Sequence, residues 1–305
     1  MPTDNIKETV FITGATVGLG RLTAKKLIDL GHKVIISGRS EKKLQDAHTF
    51  ILADSPQHKE NLHSVILDLI DLKSIKAAVE KIESFGIGID VLVNNAGGTL
   101  TKFQQTNPGI EDTIFMNAVG PLYLTKLLVP MIEKSQHPNK RILFVGSSIH
   151  DPNSKGGGNN EATKIPHDVD IQTIIKDKAH WESMRYYKLS KLASLWDAFL
   201  IADKYPQLTT IVFCPGFVPT TDLIRNSGYL VRMTLKYAIS KFNFTTSEQD
   251  ATDGYLYYIT TPGTNLKSGG YYEKKQESTP SDDAMNKAKQ QEFWDLAMQS
   301  IDALT

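Results

Sequence analysis

Short apolar runs recur along the chain, and stretches with the apolar spacing of amphipathic helices separate them. Apolar runs of this kind are typical of a parallel sheet that helices cover on both faces. The pattern therefore predicts an α/β fold: a single doubly wound domain with a seven-stranded, mainly parallel sheet. The predicted strands lie near Val10, Val34, Val65, Val91, Ile142, Ile211 and Tyr271.

A glycine-rich segment, residues 14–20, separates the first predicted strand from a helix that begins at Arg21. Glycines let the backbone approach a pyrophosphate closely, and a helix start favours an anion. The spacing G-x-x-x-G-x-G departs from the commoner G-x-G-x-x-G pattern, so an ordinary tight turn is the alternative. The candidate cofactor-binding residues of this segment are Gly14, Thr16, Gly18, Leu19 and Gly20.

Arg39 follows the second predicted strand, 19 positions beyond Gly20, about where a dinucleotide-binding fold meets the adenosine ribose. An acidic residue there would favour NAD, whereas arginine offers a fork of donors to a 2′-phosphate. The sequence therefore predicts NADP(H) as the cofactor. The alternative is a solvated arginine at a strand end.

Tyr187 and Lys191 are four residues apart, so they share one face of a predicted helix. A nearby positive charge favours phenolate, and we expect Lys191 to lower the pKa of Tyr187 toward the range useful for proton transfer. The pair predicts a general acid. By itself the spacing occurs by chance on many helices.

The composition agrees with one large domain: 305 residues, 40% hydrophobic and 22% charged, with a formal net charge of zero. A balanced charge gives no reason to expect nucleic acid as a partner. No apolar stretch approaches the ~20 residues that span a bilayer, and the polar N-terminus lacks a signal-peptide core, so a cytoplasmic location is expected. The single cysteine, Cys214, is interpreted as a buried structural thiol, and no cluster has metal-ligand spacing.

Five motifs stand in order along the chain: Thr13-Gly14 with Gly18 and Gly20, residues 94–97, Asn117, Ser148, and Tyr187 with Lys191. Together these motifs resemble, in order and in placement, those of the short-chain dehydrogenase/reductase family from about residue 8 to residue 221. The form Tyr-x-x-Ser-Lys, the turn at residues 147–150 and the segment 267–272 are most similar to the retinol dehydrogenase and protochlorophyllide reductase branch.

The resemblance implies a Rossmann-type fold and a catalytic set of Asn117, Ser148, Tyr187 and Lys191. Tyr187 would donate a proton to a carbonyl oxygen that Ser148 also binds, and Lys191 would hold the nicotinamide ribose. Ser147, the first of the two paired serines, is the alternative to Ser148 for this hydrogen bond. Asn117 would hold a water in a proton relay, and it could equally satisfy a helix irregularity near Gly120 and Pro121.

The resemblance also implies cofactor contacts beyond the glycine turn, at the carboxyl ends of the strands. The alternatives are that Asp68 only terminates a strand, that residues 94–97 stabilise the sheet, and that residues 215–220 are a proline-stiffened loop. The implied residues are Asp68, Leu69, Asn95, Ala96, Gly97, Tyr187, Lys191, Pro215, Gly216, Val218 and Thr220.

Two regions depart from the shortest form of this fold. Residues 151–180 are an insertion near the mouth of the site, which either shapes substrate access or is a tolerated surface loop. Residues 222–245 mix apolar and basic side chains and correspond in position to a substrate lid, so a bulky, mostly apolar ketone or aldehyde is expected. A basic amphipathic segment could instead dock on a membrane surface.

The sequence thus predicts an NADP(H)-dependent carbonyl reductase or alcohol dehydrogenase that acts on a small-molecule carbonyl or alcohol substrate. Reduction of an activated carbon–carbon double bond is one alternative, and an NADPH-binding sensor or scaffold without turnover is another. A homodimer is among the expected assemblies, because the helices that carry Asn117 and Tyr187 form dimer interfaces in many members of the family.

Overall fold

The fold is given by a computed structural model that describes residues 7–107, 109–158, 160–219, 245–262 and 265–304. Its centre is a sheet with the strand order β3-β2-β1-β4-β5-β6-β7-β8. The strands are β1 (Thr9–Ile12), β2 (Lys33–Gly38), β3 (Leu62–Ile66), β4 (Val91–Asn94), β5 (Arg141–Val145), β6 (Thr209–Cys214), β7 (Gly270–Glu273) and β8 (Gln276–Ser278).

The first seven strands are parallel, and the strand order reverses between β1 and β4. In an open parallel sheet, ligands bind beyond the carboxyl ends of the strands at such a reversal. The predicted doubly wound α/β fold is confirmed. The prediction of seven strands missed β8, which pairs antiparallel with β7 after a tight turn at Lys274 and Lys275. This short edge strand is polar and mostly exposed, so the apolar pattern gave no sign of it.

Helices cover both faces of the sheet, and a π-helical turn, Phe115–Val119, joins the helices Asp112–Ile114 and Gly120–Lys134. Short 3₁₀ turns lie at Pro56–Asn61 and Ser148–His150. The helices are α1 (Gly18–Asp29), α2 (Glu41–Ile51), α3 (Leu72–Ser84), α4 (Asp112–Ile114), α5 (Gly120–Lys134), α6 (Ile171–Ile174), α7 (Ser183–Lys204), α8 (Glu248–Thr260), α9 (Asp282–Met285) and α10 (Lys287–Asp302).

Alternate residues of each strand enter two separate cores. Val10 and Ile12 pack with side chains of α1, α2 and α8, whereas Phe11 packs with side chains of α3, α5, α7 and α10 on the opposite face. Because successive strand side chains point to opposite faces, a strand buried on both sides must be apolar throughout. This arrangement explains the continuous apolar runs of the sequence.

Helix α7 is buried along almost its whole length, from Tyr186 to Ala202. The C-terminal elements cover the side that would otherwise face solvent: the rings of Trp196 and Phe293 lie 5.8 Å apart, and Trp196 Nε1 donates to the Asp283 carbonyl at 2.9 Å. This packing fixes the helix that carries Tyr187.

Contrary to the expectation that no apolar stretch approaches the length needed to span a bilayer, the continuous helical stretch from Asp112 to Lys134 is long and apolar enough by length and composition alone. However, 72% of its most apolar window is buried inside the fold, and a core helix passes the same test. Its side chains pack in the core beside α3 and α7. The stretch is therefore explained as a core helix.

The insertion, residues 151–180, packs on the domain in the part that the structure describes. Ile165 and Val169 are buried in the core beside α7. At its end, Trp181 Nε1 donates to the carboxylate of Glu111 at 2.9 Å, and Glu111 in turn accepts from the first backbone N–H groups of α4. The insertion is thereby joined to the helical stretch that carries Asn117.

Charged groups are buried at the amino ends of the strands, where β1 and β5 begin. Glu8 is 2% exposed and Arg141 is fully buried. The Arg141 guanidinium donates to the Tyr258 carbonyl at 2.8 Å. Burial raises the pKa of the Glu8 carboxyl from 4.5 to about 7, although Arg141 acts in the opposite direction.

Glu8→Gln should stabilise the protein at pH 8 and leave its stability nearly unchanged near pH 4.5. The folded state holds the Glu8 proton more tightly than the unfolded state, so the free energy of unfolding falls as pH rises from about 4.5 to about 7. The expected gain above pH 7 is on the order of 2 kcal/mol.

Chemical denaturation of the native protein and of Glu8→Gln at both pH values measures this gain. Glu60→Gln is the matched control, because the Glu60 side chain is 86% exposed. A gain that is the same at both pH values would contradict the assignment.

Candidate active site

The glycine turn between β1 and α1 brings the backbone close to neighbouring atoms. Gly14 and Gly18 have φ angles of +66° and +59°, a region that favours glycine. A Cβ on Gly14 would lie 2.8 Å from the Cβ of Ala96. Helix α1 begins after Val17, whose side chain cannot cap it, so no side chain caps the first N–H groups of the helix. Such a helix start suits a phosphate.

The end of β4 is held against the end of β1 by side-chain hydrogen bonds. Thr13 Oγ1 accepts from the backbone N–H groups of Asn95 and Ala96 at 3.0 and 2.9 Å. The Asn95 amide donates from Nδ2 to the Thr13 carbonyl at 2.7 Å. Asn95 therefore fixes the strand ends as well as facing the cavity.

A cavity of about 1790 Å³ opens at this edge of the sheet. It brings together every predicted site residue except Asn117, which lies behind the wall, and Thr220, which lies outside the described residues. The predicted residues that line it are Gly14, Thr16, Gly18, Leu19, Gly20, Arg39, Asp68, Leu69, Asn95, Ala96, Gly97, Ser148, Tyr187, Lys191, Pro215, Gly216 and Val218.

Tyr187 and Lys191 are both buried in the cavity wall. Lys191 Nζ lies 5.7 Å from the centre of the Tyr187 ring and donates to the Val145 carbonyl at 2.9 Å. Burial lowers the pKa of Lys191 from 10.5 to about 8. The carbonyl at the end of β5 thus positions the amine.

The expectation that Lys191 lowers the pKa of Tyr187 is wrong for this structure. Burial raises the pKa of the Tyr187 phenol above its ordinary value, and the buried Cys214 thiol acts in the same direction. A phenolate loses more by leaving water than it gains from an amine whose own charged form is disfavoured. The phenol therefore stays protonated at neutral pH.

Asn117 lies in the π-helical turn between α4 and α5, behind the cavity. Its Nδ2 donates to the Gly98 carbonyl at 2.9 Å and to Ser190 Oγ at 2.8 Å, and its Oδ1 accepts from the Gly98 N–H at 3.0 Å. Ser190 lies directly before Lys191. Asn117 thus connects the segment after β4 to α7, and the predicted helix irregularity beside Gly120 is present.

The turn after β5 presents both serines to the cavity, with Ser148 more exposed than Ser147. His150 holds this turn: its Nδ1 lies 2.8 Å from the Ser147 carbonyl, and its Nε2 accepts from the Ser281 N–H at 3.1 Å. Since a carbonyl can only accept, Nδ1 carries the proton. The neutral ring therefore links the serine turn to the start of α9.

Arg39 is exposed at the end of β2 and lines the cavity together with Lys43, which the sequence analysis missed. Lys43 lies in the first turn of α2, four residues after Arg39. Beyond the end of the neighbouring strand β3, the Asp68 carboxylate accepts from the Ile70 N–H at 3.2 Å. Asp68 therefore also has the strand-terminating role considered as its alternative.

The loop after β6 lines the cavity at Pro215, Gly216 and Val218, and Gly216 has a φ of +85°. The Phe217 carbonyl accepts from the Thr246 N–H at 2.8 Å. This bond ties the loop to the segment that precedes α8. Of the predicted lid, residues 222–245, only Thr245 is described.

Helix α8 forms a wall of the cavity that the sequence analysis did not anticipate. Asp250, Ala251, Gly254 and Tyr255 line it. The Tyr255 phenol donates to Asn95 Oδ1 at 2.7 Å. In the sequence, apolar spacing is the only feature of residues 248–260, and it does not indicate that this helix borders a site. Across the described part of the chain, no group of three or more His, Cys, Asp or Glu side chains could hold a metal ion.

Comparison with known proteins agrees with this geometry. The family model of short-chain dehydrogenases matches residues 8–166, just over half of the chain, and the chain belongs to that family. The rhlG protein of Pseudomonas aeruginosa, solved as an NADP active-site complex, shares the fold with a TM-score of 0.66 at 16% identity, covering 90% of this chain and 98% of that one.

Curated relatives cover nearly the whole chain. Short-chain dehydrogenase TIC 32 B of Brassica napus is 28% identical over 97% of this chain and 89% of its own length. Polyprenol dehydrogenase of Mus musculus is 28% identical over 93% of this chain and 80% of its own. Protochlorophyllide reductase of Cucumis sativus is 28% identical over 95% of this chain and 77% of its own. The similarity to this branch of the family is confirmed.

Gly14→Ala should destabilise the protein more than Gly18→Ala. Both substitutions force alanine into a positive φ, which costs about 1–2 kcal/mol. Only the new Cβ at Gly14 collides with a neighbour, because nothing described lies within 4 Å of a Cβ at Gly18. Equal losses in the free energy of unfolding, measured by chemical denaturation, would contradict the described packing of Gly14 on Ala96.

Proposed function

We propose that this chain is an NADP(H)-dependent oxidoreductase that reduces a ketone or aldehyde to an alcohol. The observation that carries the proposal is one cavity lined by the glycine turn, by Arg39 and by the proton-donating pair Tyr187 and Lys191. A cofactor cradle and a positioned acid in the same cavity are what carbonyl reduction needs.

The residues of the cavity fit a dinucleotide with a 2′-phosphate. The glycine turn and the uncapped start of α1 suit the pyrophosphate, and the cations of Arg39 and Lys43 suit the additional phosphate. The related rhlG protein was solved with NADP. When bound, the reduced nicotinamide supplies a hydride.

The chain itself would supply the proton and stabilise the negative charge that develops on the carbonyl oxygen. Tyr187 is buried and protonated at neutral pH, so it can donate its proton to a carbonyl oxygen. Ser148 would donate a hydrogen bond to the same oxygen, a contribution of about 3 kcal/mol when a donor meets developing negative charge. Lys191 has three N–H donors, of which the Val145 carbonyl occupies one. The others would hold the nicotinamide ribose.

The substrate end of the cavity favours a bulky, mostly apolar carbonyl compound. Met116, Ile149, Met184 and Phe217 line it, and methionine side chains adapt to irregular apolar shapes. The insertion contributes Gly156 and Gly157 to the same wall, which favours a role in substrate access over a tolerated loop.

A second candidate function is reduction of an activated carbon–carbon double bond. The similarity to protochlorophyllide reductase of Cucumis sativus favours it. The similarity to polyprenol dehydrogenase of Mus musculus favours alcohol and carbonyl chemistry instead. The assignment to the cytoplasm and the homodimer stay predictions.

NADPH oxidation by the native protein should be detectable with aromatic, isoprenoid or steroid ketones and aldehydes, and Tyr187→Phe should lower kcat at least ~10²-fold because it removes the acid. NADPH fluorescence should show that this variant still binds cofactor. Full turnover by Tyr187→Phe would contradict the proposed acid. NADPH binding without turnover on any carbonyl would contradict carbonyl reduction and favour a double-bond substrate or a sensor.

A further inference from the structure

Helix α8 is fixed against the helix that starts at the glycine turn. Lys26 of α1 and Asp253 of α8 form a salt bridge of 2.7 Å. Two residues further on, Tyr255 is 1% exposed, and its ring meets Phe213 of β6 edge-on with centroids 4.7 Å apart. The Tyr255 phenol is therefore held by packing on one side and reaches the cavity on the other.

A continuous series of hydrogen bonds leads from this phenol to the strand ends. Tyr255 donates to Asn95 Oδ1 at 2.7 Å, and Asn95 Nδ2 donates to the Thr13 carbonyl at 2.7 Å. The two bonds use both ends of the Asn95 amide and define which end is oxygen. Since residue 255 follows residue 95 by 160 positions, only the folded domain creates this contact.

The Asn95 amide has little room to move. A Cβ on Gly20 would lie 2.7 Å from Asn95 Nδ2, so the amide lies directly against the first turn of α1. That turn supplies the N–H groups expected to meet the pyrophosphate. A displaced or reversed amide would therefore press on the cofactor cradle itself.

We propose that Tyr255 is a positioning residue of the cofactor site, which orients the Asn95 amide and through it the start of α1. This inference rests on the proposed NADP(H) binding. Without the phenol oxygen, Asn95 Oδ1 would lose its hydrogen-bond donor in a half-buried position at the cavity wall.

The chain offers a matched control in Tyr258, one turn further along the same helix. Tyr258 is fully buried and also packs on Phe213, with ring centroids 5.1 Å apart. Within the described residues its phenol oxygen has no hydrogen-bond partner. Tyr258→Phe therefore removes the same atom from the same helix without disturbing Asn95.

The test is titration of NADPH into the native protein, Tyr255→Phe and Tyr258→Phe by protein fluorescence, with thermal unfolding of each ligand-free variant. Tyr255→Phe should raise the Kd for NADPH by up to about tenfold, the order of effect of one lost hydrogen bond. Tyr258→Phe should leave the Kd within about twofold of the native value. In turnover, KM for NADPH should rise in Tyr255→Phe with kcat nearly unchanged.

Three results would count against the inference in distinguishable ways. Equal Kd values for Tyr255→Phe and Tyr258→Phe, beside tight binding by the native protein, would overturn the positioning role alone. A lower unfolding temperature for Tyr255→Phe with an unchanged Kd would likewise reduce Tyr255 to a structural residue. A native protein that does not bind NADPH would overturn the proposed function, and this inference with it.

Discussion

The site depends on how the backbone N–H and C=O groups find hydrogen-bond partners where β1 and β4 end. Beyond their last paired residues the two strands separate, and their amide and carbonyl groups need partners that the sheet no longer supplies. Thr13 and Asn95 provide them with side-chain hydrogen bonds of 2.7 to 3.0 Å. The gap that remains between the strand ends is the cavity floor. The glycine turn, the segment after β4 and helix α8 are all positioned by these contacts.

Burial sets the chemistry of the cavity as much as the choice of residues does. The pKa of Tyr187 is raised and the pKa of Lys191 is lowered to about 8, both because the charged forms lose water. The two groups are therefore held as a protonated phenol and an amine that titrates close to neutral pH. An acid that stays protonated suits donation to a carbonyl oxygen. Asn117 and Val145 fix the amine's surroundings by contacts from two further elements.

Local pattern was sufficient to predict most of the fold, the glycine turn, Arg39 and the pair Tyr187 and Lys191. The other predicted lining residues followed from the resemblance to the family. The apolar runs predicted a seven-stranded, mainly parallel sheet because most of the strands are buried on both faces. The spacing of Tyr187 and Lys191 predicted a shared helix face. The Tyr255 contact could not be predicted, because it joins residues 160 positions apart. Lys43 resembles any solvated lysine, and β8 has no apolar pattern. The pKa direction of Tyr187 was missed because burial is a property of the packed structure.

The proposed function requires that this cavity bind NADP(H), with Arg39 at the 2′-phosphate. Equilibrium titration of the native protein with NADPH and with NADH tests it most directly, because the two ligands differ only in that phosphate. We expect NADPH to bind at least about tenfold more tightly than NADH, and Arg39→Ala to remove most of the difference. Equal or tighter binding of NADH, or no binding of either dinucleotide, would contradict it.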